Sequence, residues 1–251
     1  MVGSMAASEI DVILWSLNGP VLRPIPEAYV AMEYICTKVL KVPVPFATEN
    51  GFRLWNGHGA REGIERLADK RDPWEVRRAV LHYEMRMMFG DANPVDGVSD
   101  TLRRLGSRFT LGAMANLPEE WAKTKLDSHH LSDLFKAIEP YVNGHPELCE
   151  GLMRSAMRRL GADPSRVAAV IDRIPDALAA QRAGIADIIL VTYGWEPFQR
   201  LYEALKVVQG EYRQQHPDAK DGWLVFDHVS DSPEEVERYL ESKAKPMHGN
   251  A

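Results

Sequence analysis

The residues best suited to chemistry lie where a buried apolar run ends near the start of the chain. Residues 11–17 read DVILWSL and are followed by Asn18 and Gly19, a pattern typical of a buried strand that ends in a tight loop. In open α/β sheets, chemistry takes place just beyond the carboxyl ends of such strands. The strand end therefore offers the Ser16 hydroxyl and the Asn18 amide, beside the backbone N–H groups of the loop.

Two later apolar runs end in polar residues of the same kind. Asn116 follows the run at 109–115, and Asp172 and Arg173 follow the run at 167–171. If these runs are parallel strands, their carboxyl ends meet at one edge of a sheet. Backbone amides and a helix N-terminus at such an edge bind anions without a metal. The sequence therefore predicts an anion site with four binding residues, which are Asn18, Gly19, Asn116 and Arg173.

Apolar runs and amphipathic stretches alternate from about residue 93 onward. This alternation predicts an α/β fold with a mostly parallel sheet and right-handed crossovers. The predicted strands are 10–17, 109–115, 137–142, 167–171, 187–191 and 223–226. Helices are predicted between them, and Ser232 with Glu235 forms a capping box at the start of the last one.

The segment between the first strand and residue 91 carries helical patterns without a strand pattern. Helices are predicted at 26–40, 60–70 and 72–89. The chain is therefore divided into a core domain, residues 5–22 and 91–251, and a helical cap domain, residues 23–90. Large apolar side chains of the cap could form ordinary core, or some of them could line a cavity that faces Ser16. The set is Trp55, Trp74, Tyr83, Met85, Met87, Met88 and Phe89, of which Trp55, Tyr83 and Met87 are the substrate-binding candidates.

Composition limits the classes of function. The chain has 251 residues, of which 45% are hydrophobic and 26% are charged, and its formal net charge is −6. This charge argues against a nucleic-acid-binding surface, and no apolar run is long enough to span a membrane. Cys36 and Cys149 are far apart, which fits a reduced compartment and gives no metal-ligand spacing. We expect a cytoplasmic protein that begins at Met5 and binds neither nucleic acid nor membrane, with a homodimer left open.

The first strand and its loop resemble the first motif of the haloacid dehalogenase (HAD) superfamily. In that family the strand ends in Asp-x-Asp-Gly-Thr. This chain has Ser16, Leu17, Asn18, Gly19 and Pro20 at those positions. Both aspartates of the motif are therefore replaced by neutral residues.

The later motifs of the family are partly retained. Asn116 matches the second motif, although Ala115 stands where the family has a hydroxyl residue. His145 stands at the position of the family's lysine, within His-Pro-Glu. The acidic motif keeps both of its carboxylates, Asp172 and Asp176.

The resemblance covers about residues 10–190 and implies an α/β, HAD-like Rossmannoid sheet with an inserted all-helical type I cap. In the family, the first Asp attacks phosphorus, the second acts as acid and base, and the acidic motif helps to hold magnesium. Because Ser16 replaces the first Asp, the resemblance implies that phosphatase and dehalogenase activity are lost. We expect no resident cofactor, and magnesium only where a diphosphate substrate brings it to Asp172 or Asp176.

Three functions remain under this interpretation. The first is a repurposed enzyme for an anionic small molecule with an apolar body, such as a lyase or terpene cyclase acting on a prenyl diphosphate. The second is a non-catalytic pseudoenzyme that binds a ligand or a partner. The third is a hydrolase or acyltransferase with Ser16 as nucleophile, His145 as base and Asp172 as orienting carboxylate. No Gly-x-Ser-x-Gly motif surrounds Ser16 in support of the third.

Each catalytic candidate also has an ordinary structural explanation. Ser16 could fill the space of the missing Asp, and His145 could cap the helix that follows it. Asp172 and Asp176 could bond backbone amides at the start of a helix. These roles need no activity, and the sequence alone does not choose between them and a catalytic site.

Overall fold

A computed structural model describes residues 9–55, 60–68, 71–90, 92–115, 117–140, 146–194, 198–215 and 226–244. Its centre is a six-stranded sheet in which every pair of neighbouring strands is parallel. The predicted α/β class with a mostly parallel sheet is therefore confirmed. The strands are β1 (Val12–Ser16), β4 (Thr110–Ala115), β5 (Phe135–Pro140), β6 (Val167–Ile171), β7 (Asp187–Val191) and β8 (His228–Ser230), in the spatial order β5-β4-β1-β6-β7-β8. Two short segments, β2 (Leu22–Arg23) and β3 (Asn93–Pro94), pair antiparallel outside this sheet.

Strand β1 lies in the middle of the sheet and is covered on both faces. Ile13 and Trp15 belong to the apolar cluster on one face, and Val12 and Leu14 belong to the cluster on the other face. Successive side chains of a strand point to opposite faces, so a strand buried on both faces is a continuous apolar run. The run that ends at Ser16 therefore fixes that residue at the carboxyl edge of the sheet, between β4 and β6.

Helices of the core pack on both faces of the sheet. They are α5 (Val98–Gly106), α6 (Glu119–Asp127), α7 (Pro146–Leu160), α8 (Ile174–Ala183), α9 (Phe198–Gln215) and α10 (Pro233–Lys243). The cap predicted at Ser232 is present, because its hydroxyl accepts a hydrogen bond from the Glu235 N–H at 3.2 Å. The reciprocal bond of the capping box is shifted by one residue, since a Glu235 carboxylate oxygen accepts from the Asp231 N–H at 2.9 Å. Glu235 thus reaches back to the start of its helix.

The last strand lies later than predicted. We expected it at 223–226, whereas β8 spans His228–Ser230, and residues 223–225 lie outside the described part of the chain. Phe226 packs against an apolar cluster of the core from the segment that precedes β8. An apolar side chain that is buried from a connecting segment produces the same sequence pattern as a strand residue, so the pattern alone misplaced the strand.

Residues 25–89 form helices that have an apolar cluster of their own. The helices are α1 (Ile25–Tyr34), which continues as a π-helix at Ile35–Leu40, then α2 (Glu49–Trp55), α3 (Ala60–Leu67) and α4 (Pro73–Phe89). Their buried side chains form one cluster that is separate from the two clusters of the sheet. This separation supports the division into core and cap, whose boundaries stay a prediction. Helix α2 was not predicted from the sequence.

Side chains at the end of α4 and in α6 connect the helical insertion to the core. The Lys125 ammonium donates to the Gly90 carbonyl and lies 3.4 Å from the Glu27 carboxylate, and both charged side chains are largely buried. The rings of Phe89 and Trp121 meet edge to face, with their centroids 4.9 Å apart. The insertion and the core therefore share a contact that combines charge and aromatic packing.

Helix α10 is held to α5 by a charged pair. Arg104 Nε and Nη2 donate to the two carboxylate oxygens of Glu237 at 2.6 and 2.7 Å, and the Thr101 hydroxyl donates to the same carboxylate at 3.3 Å. The Glu237 side chain is 11% exposed and the Arg104 side chain is 54% exposed. This bidentate pairing lowers the pKa of the Glu237 carboxyl. Among the described residues, no helix is both long and apolar enough to cross a membrane.

We expect Glu237→Gln to lower the free energy of unfolding at pH 7 by about 2 kcal/mol, because it removes a charge-assisted pair from a largely buried site. Since the pKa of Glu237 is lowered by folding, its contribution is complete above the ordinary glutamate value of about 4.3 and is lost as the pH falls through the folded value. Urea midpoints of both proteins should therefore converge in acid.

The matched control is Glu241→Gln, which removes an ion pair between α10 and Arg108 whose carboxylate side chain is 44% exposed. Exposed pairs contribute little, so we expect a change below about 0.5 kcal/mol. Equal losses in the two variants at every pH would contradict the assigned role of Glu237.

Candidate functional site

The loop after β1 is held by its own backbone hydrogen bonds. The Leu17 N–H donates to the Met114 carbonyl at 2.8 Å, and the Gly19 N–H donates to the Leu22 carbonyl at 2.8 Å. These two N–H groups are therefore engaged within the fold, and the binding of an anion by this loop stays a prediction. The Ser16 hydroxyl is half-buried and lies 3.5 Å from the Asn18 carbonyl oxygen, so the loop folds back over the strand end.

Asp172 is the buried carboxylate of this edge. It follows β6 directly, is 1% exposed, and lies between the backbones of Gly19 and Gly194. A methyl group added at either glycine would overlap the Asp172 side chain. Gly19 also has a φ of +108°, which side-chain-bearing residues rarely adopt. The predicted proximity of the β1 loop and Asp172 is thus present, and two glycines make it possible.

The loop after β7 contributes a residue that sequence reasoning missed. Tyr193 is largely buried, and this burial raises the pKa of its hydroxyl, with further contributions from the nearby negative charges of Asp172 and Glu234. The neighbouring Gly194 is the second glycine that packs against Asp172. The sequence did contain a signal for this residue. Its loop directly follows the predicted strand at 187–191 and therefore lies at the same edge of the sheet.

Arg173 and Asp176 lie at the start of α8. Arg173 is the N-cap residue in an extended conformation, and Asp176 lies in the first turn, with both side chains half-buried. A helix N-terminus carries a partial positive charge, which favours a negative group there. Asp172, Arg173 and Asp176 thus lie in sequence around the point where α8 begins, next to the end of β1.

The donors at this edge do not match the magnesium site of the family. Among the described residues, no group of three histidine, cysteine, aspartate or glutamate side chains is placed to hold a metal. At the end of β1 the neutral hydroxyl of Ser16 stands where the family has a carboxylate ligand, and Asp172 is enclosed by two glycine backbones. A small divalent ion requires anionic oxygens in near-octahedral geometry. The residues therefore do not fit the family's metal site.

Two predicted site residues lie outside the described part of the chain, Asn116 and His145. The structure therefore brings Ser16, Asn18, Gly19, Asp172 and Arg173 to one region of the sheet edge, while the proposed amide of Asn116 and the proposed base His145 stay predictions.

The cap candidates Trp55, Tyr83 and Met87 pack within the cap. All three contact its apolar cluster, and the Trp55 ring lies 5.4 Å from that of Phe46, centroid to centroid. Burial, with a further contribution from the charge of Glu27, raises the pKa of the Tyr83 hydroxyl. These positions agree with the ordinary-core explanation for the three residues.

Other members of the same set are not core. The side chains of Trp74, Met85 and Phe89 are 68%, 45% and 65% exposed. We expected these side chains to be buried in the cap, and this expectation is wrong. They form a second row of apolar side chains on α4, which faces away from the cap's apolar cluster. A cavity of about 150 Å³ lies at the end of this row, lined by Met88, Phe89, Gly90, Ala92, Trp121, Thr124, Lys125 and Ser128, with no predicted site residue among them.

We expect Gly19→Ala to lower the free energy of unfolding by about 3 kcal/mol, because it combines a left-handed backbone with a clash against a buried carboxylate. The control is Gly151→Ala in α7, where an added methyl group meets nothing within 4 Å. Alanine favours the helix, so the control should gain about 1 kcal/mol. Urea denaturation measures both, and a neutral Gly19→Ala would contradict the described packing of Asp172.

Several proteins resemble this chain in fold or in part of the sequence. Phosphoglycolate phosphatase of Caulobacter vibrioides is 27% identical over 201 residues, which span 75% of this chain and 83% of the relative. A haloacid dehalogenase-like hydrolase of Streptococcus pneumoniae superposes with a TM-score of 0.71 at 18% identity, over 92% of this chain and 98% of the other. A protein of Clostridium acetobutylicum described as a predicted phosphatase has a TM-score of 0.70 at 19% identity, over 94% of this chain and 100% of the other.

The name of the relative that shares part of this sequence contradicts the functional hypotheses that we drew from the sequence. We expected a chain without phosphatase chemistry, and considered a lyase or terpene cyclase, a pseudoenzyme, and a serine-dependent hydrolase or acyltransferase. The relative that is 27% identical to this chain is named phosphoglycolate phosphatase, in conflict with those expectations. The expectation relied on the loss of the first aspartate at position 16 and gave too little weight to the rest of the chain, which has a parallel α/β sheet and keeps the buried Asp172 of the acidic motif.

Family models match most of the sheet and the whole acidic motif. The model described as haloacid dehalogenase-like hydrolase matches residues 17–184, well over half of the chain, and a second HAD-hydrolase-like model matches residues 145–229. The resemblance predicted from the motifs is therefore confirmed. The chain belongs to the haloacid dehalogenase-like hydrolase family.

Proposed function

We propose that this protein is a phosphatase that hydrolyses phosphate monoesters of small organic molecules. The observation that carries the proposal is the burial of Asp172 between Gly19 and Gly194 at the end of β6, next to the end of β1. A nearly inaccessible carboxylate is costly to retain unless it has a structural or chemical task. The similarity to a relative named phosphoglycolate phosphatase supports phosphate esters as the substrate class.

The reaction transfers the phosphoryl group of the ester to water. The bond between phosphorus and the ester oxygen breaks, water supplies the new oxygen of phosphate, and a proton from that water ends on the leaving alcohol. Positioning and charge stabilisation supply most of the catalysis in phosphoryl transfer. In this chain the N-terminus of α8 and the Arg173 guanidinium supply positive charge beside the strand edge.

Ser16 and Asn18 make the proposed reaction slow. Neither side chain is anionic at pH 7, and an amide cannot relay a proton as a carboxylic acid does. General acid–base catalysis by one positioned group contributes about 100-fold to 10,000-fold. We therefore assign the protein a weak phosphatase activity that depends on binding and orientation at the sheet edge more than on proton transfer.

Release of inorganic phosphate from 2-phosphoglycolate and p-nitrophenyl phosphate tests the proposal, with and without magnesium. We expect turnover that Asp172→Asn lowers at least about 100-fold, because the loops after β1 and β7 that position the phosphate pack on this carboxylate. Asp163→Asn is the matched control, because Asp163 is an exposed cap before β6, at the opposite edge of the sheet. Wild-type release no greater than that of a folded Asp172→Asn variant would contradict the proposal.

A second prediction restores the carboxylates of the family. We expect the double variant Ser16→Asp, Asn18→Asp to raise kcat/KM at least about 100-fold in the presence of magnesium, because it supplies an anionic nucleophile and an acid–base group. Its control is Ser16→Asn, which has nearly the shape of aspartate without the charge and should give no gain. A folded double variant with unchanged activity would show that the remaining site cannot support phosphoryl transfer.

A further inference from the structure

Helix α4 has an apolar outer face that the fold does not cover. Trp74, Leu81, Met85 and Phe89 are 68%, 55%, 45% and 65% exposed. Successive residues of an α-helix are about 100° apart, so these four lie within one stripe, which they share with the exposed Arg78. The opposite face of α4 holds Ala79 and Tyr83 in the cap's apolar cluster. The helix is therefore apolar on two sides, although one suffices to attach it to the cap.

Two opposite charges border the same stripe. Arg77 and Glu84 lie one turn before and one turn after Leu81, on the same flank of the stripe, and both are exposed. Within the described part of the chain neither side chain has an ion-pair partner, in contrast to Arg71 and Glu75, which pair at 3.6 Å on the same segment. The outer face thus carries an unpaired positive and an unpaired negative charge at matching positions.

These positions are self-complementary when two copies of α4 lie antiparallel. A two-fold axis near Leu81 reverses the helix direction, so that Trp74 of one copy packs beside Met85 of the other. The same operation places Arg77 of each copy beside Glu84 of its partner, on one flank of the seam. Each of the two symmetric ion pairs therefore has its arginine from one protomer and its glutamate from the other, and apolar side chains lie between the pairs.

We infer that a second copy of this chain binds to the outer face of α4 and forms an antiparallel, two-fold dimer. Aromatic and methionine side chains are enriched at protein interfaces, and three of the four apolar residues of the stripe, Trp74, Met85 and Phe89, are of these types. The apolar surface also continues onto the core, because the Phe89 ring packs against Trp121 of α6 at a centroid distance of 4.9 Å. The partner copy would then contact the place where the insertion meets the core.

The dimer is expected to depend on concentration. Interfaces centred on one pair of helices bury little surface, and those below about 1,200 Å² are weak or transient. Sedimentation velocity over a range of protein concentrations measures the dissociation constant without any substrate, so the result is independent of the proposed phosphatase activity.

Leu81→Glu should raise the dissociation constant at least about tenfold, because it places two like charges next to the two-fold axis. Val207→Glu on α9 is the matched control, since Val207 is 60% exposed on another helix, and it should leave dimerisation unchanged. Circular dichroism and urea midpoints verify that both variants are folded.

Charge reversal tests the orientation of the two helices. Arg77→Glu and Glu84→Arg should each weaken the dimer about threefold or more, because each creates like-charge contacts. The double variant Arg77→Glu, Glu84→Arg restores opposite charges and should recover the wild-type dissociation constant. A wild-type protein that stays monomeric at every concentration, a dimer insensitive to Leu81→Glu, or additive losses in the double variant would overturn the inference.

Discussion

The contact on which the site depends is the packing of the Asp172 side chain between two glycine backbones. Gly19 and Gly194 come from the loops after β1 and β7, and Asp172 follows β6, so three neighbouring strand ends meet at one carboxylate. Any side chain at either glycine would push the carboxylate out of place. Since a buried charge is tolerated only where its surroundings are arranged for it, this contact constrains the backbones of all three loops. The positions of Ser16 and Arg173 follow from it.

The insertion and the core are held together by a small set of charged and aromatic side chains. Lys125 bonds the Gly90 carbonyl at the end of α4 and lies near Glu27 at the start of α1, so that one side chain of the core reaches both ends of the insertion. Largely buried ion pairs stabilise little in total, yet the loss of one partner is costly because it leaves the other unpaired. The contact therefore fixes how the two parts meet more than it adds stability. The aromatic pair of Phe89 and Trp121 lies beside the Lys125 contact and extends this interface to the protein surface.

Much of the fold could be predicted from the sequence because its strands are buried on both faces. Such strands are continuous apolar runs, and β1, β6 and β7 were placed nearly to the residue. Shorter or irregular elements could not be found in this way. The strands β2 and β3 have two residues each, α2 lies in a stretch without a clear apolar period, and the segment before β8 buries Phe226 without being a strand. The exposure of Trp74, Met85 and Phe89 was also out of reach, because residue type does not tell which apolar face of a helix the fold covers.

The site was predictable in its position and less so in its chemistry. The motif spacing located Ser16, Gly19 and Asp172, but single replacements at positions 16 and 18 led to the wrong functional class. Hydrolysis of 2-phosphoglycolate in water enriched in heavy oxygen, followed by phosphorus NMR, tests the phosphatase activity directly. We expect inorganic phosphate that contains one heavy oxygen, formed at a rate proportional to the protein concentration. An ester that stays intact in the presence of folded protein, or label found in the alcohol instead of the phosphate, would contradict it.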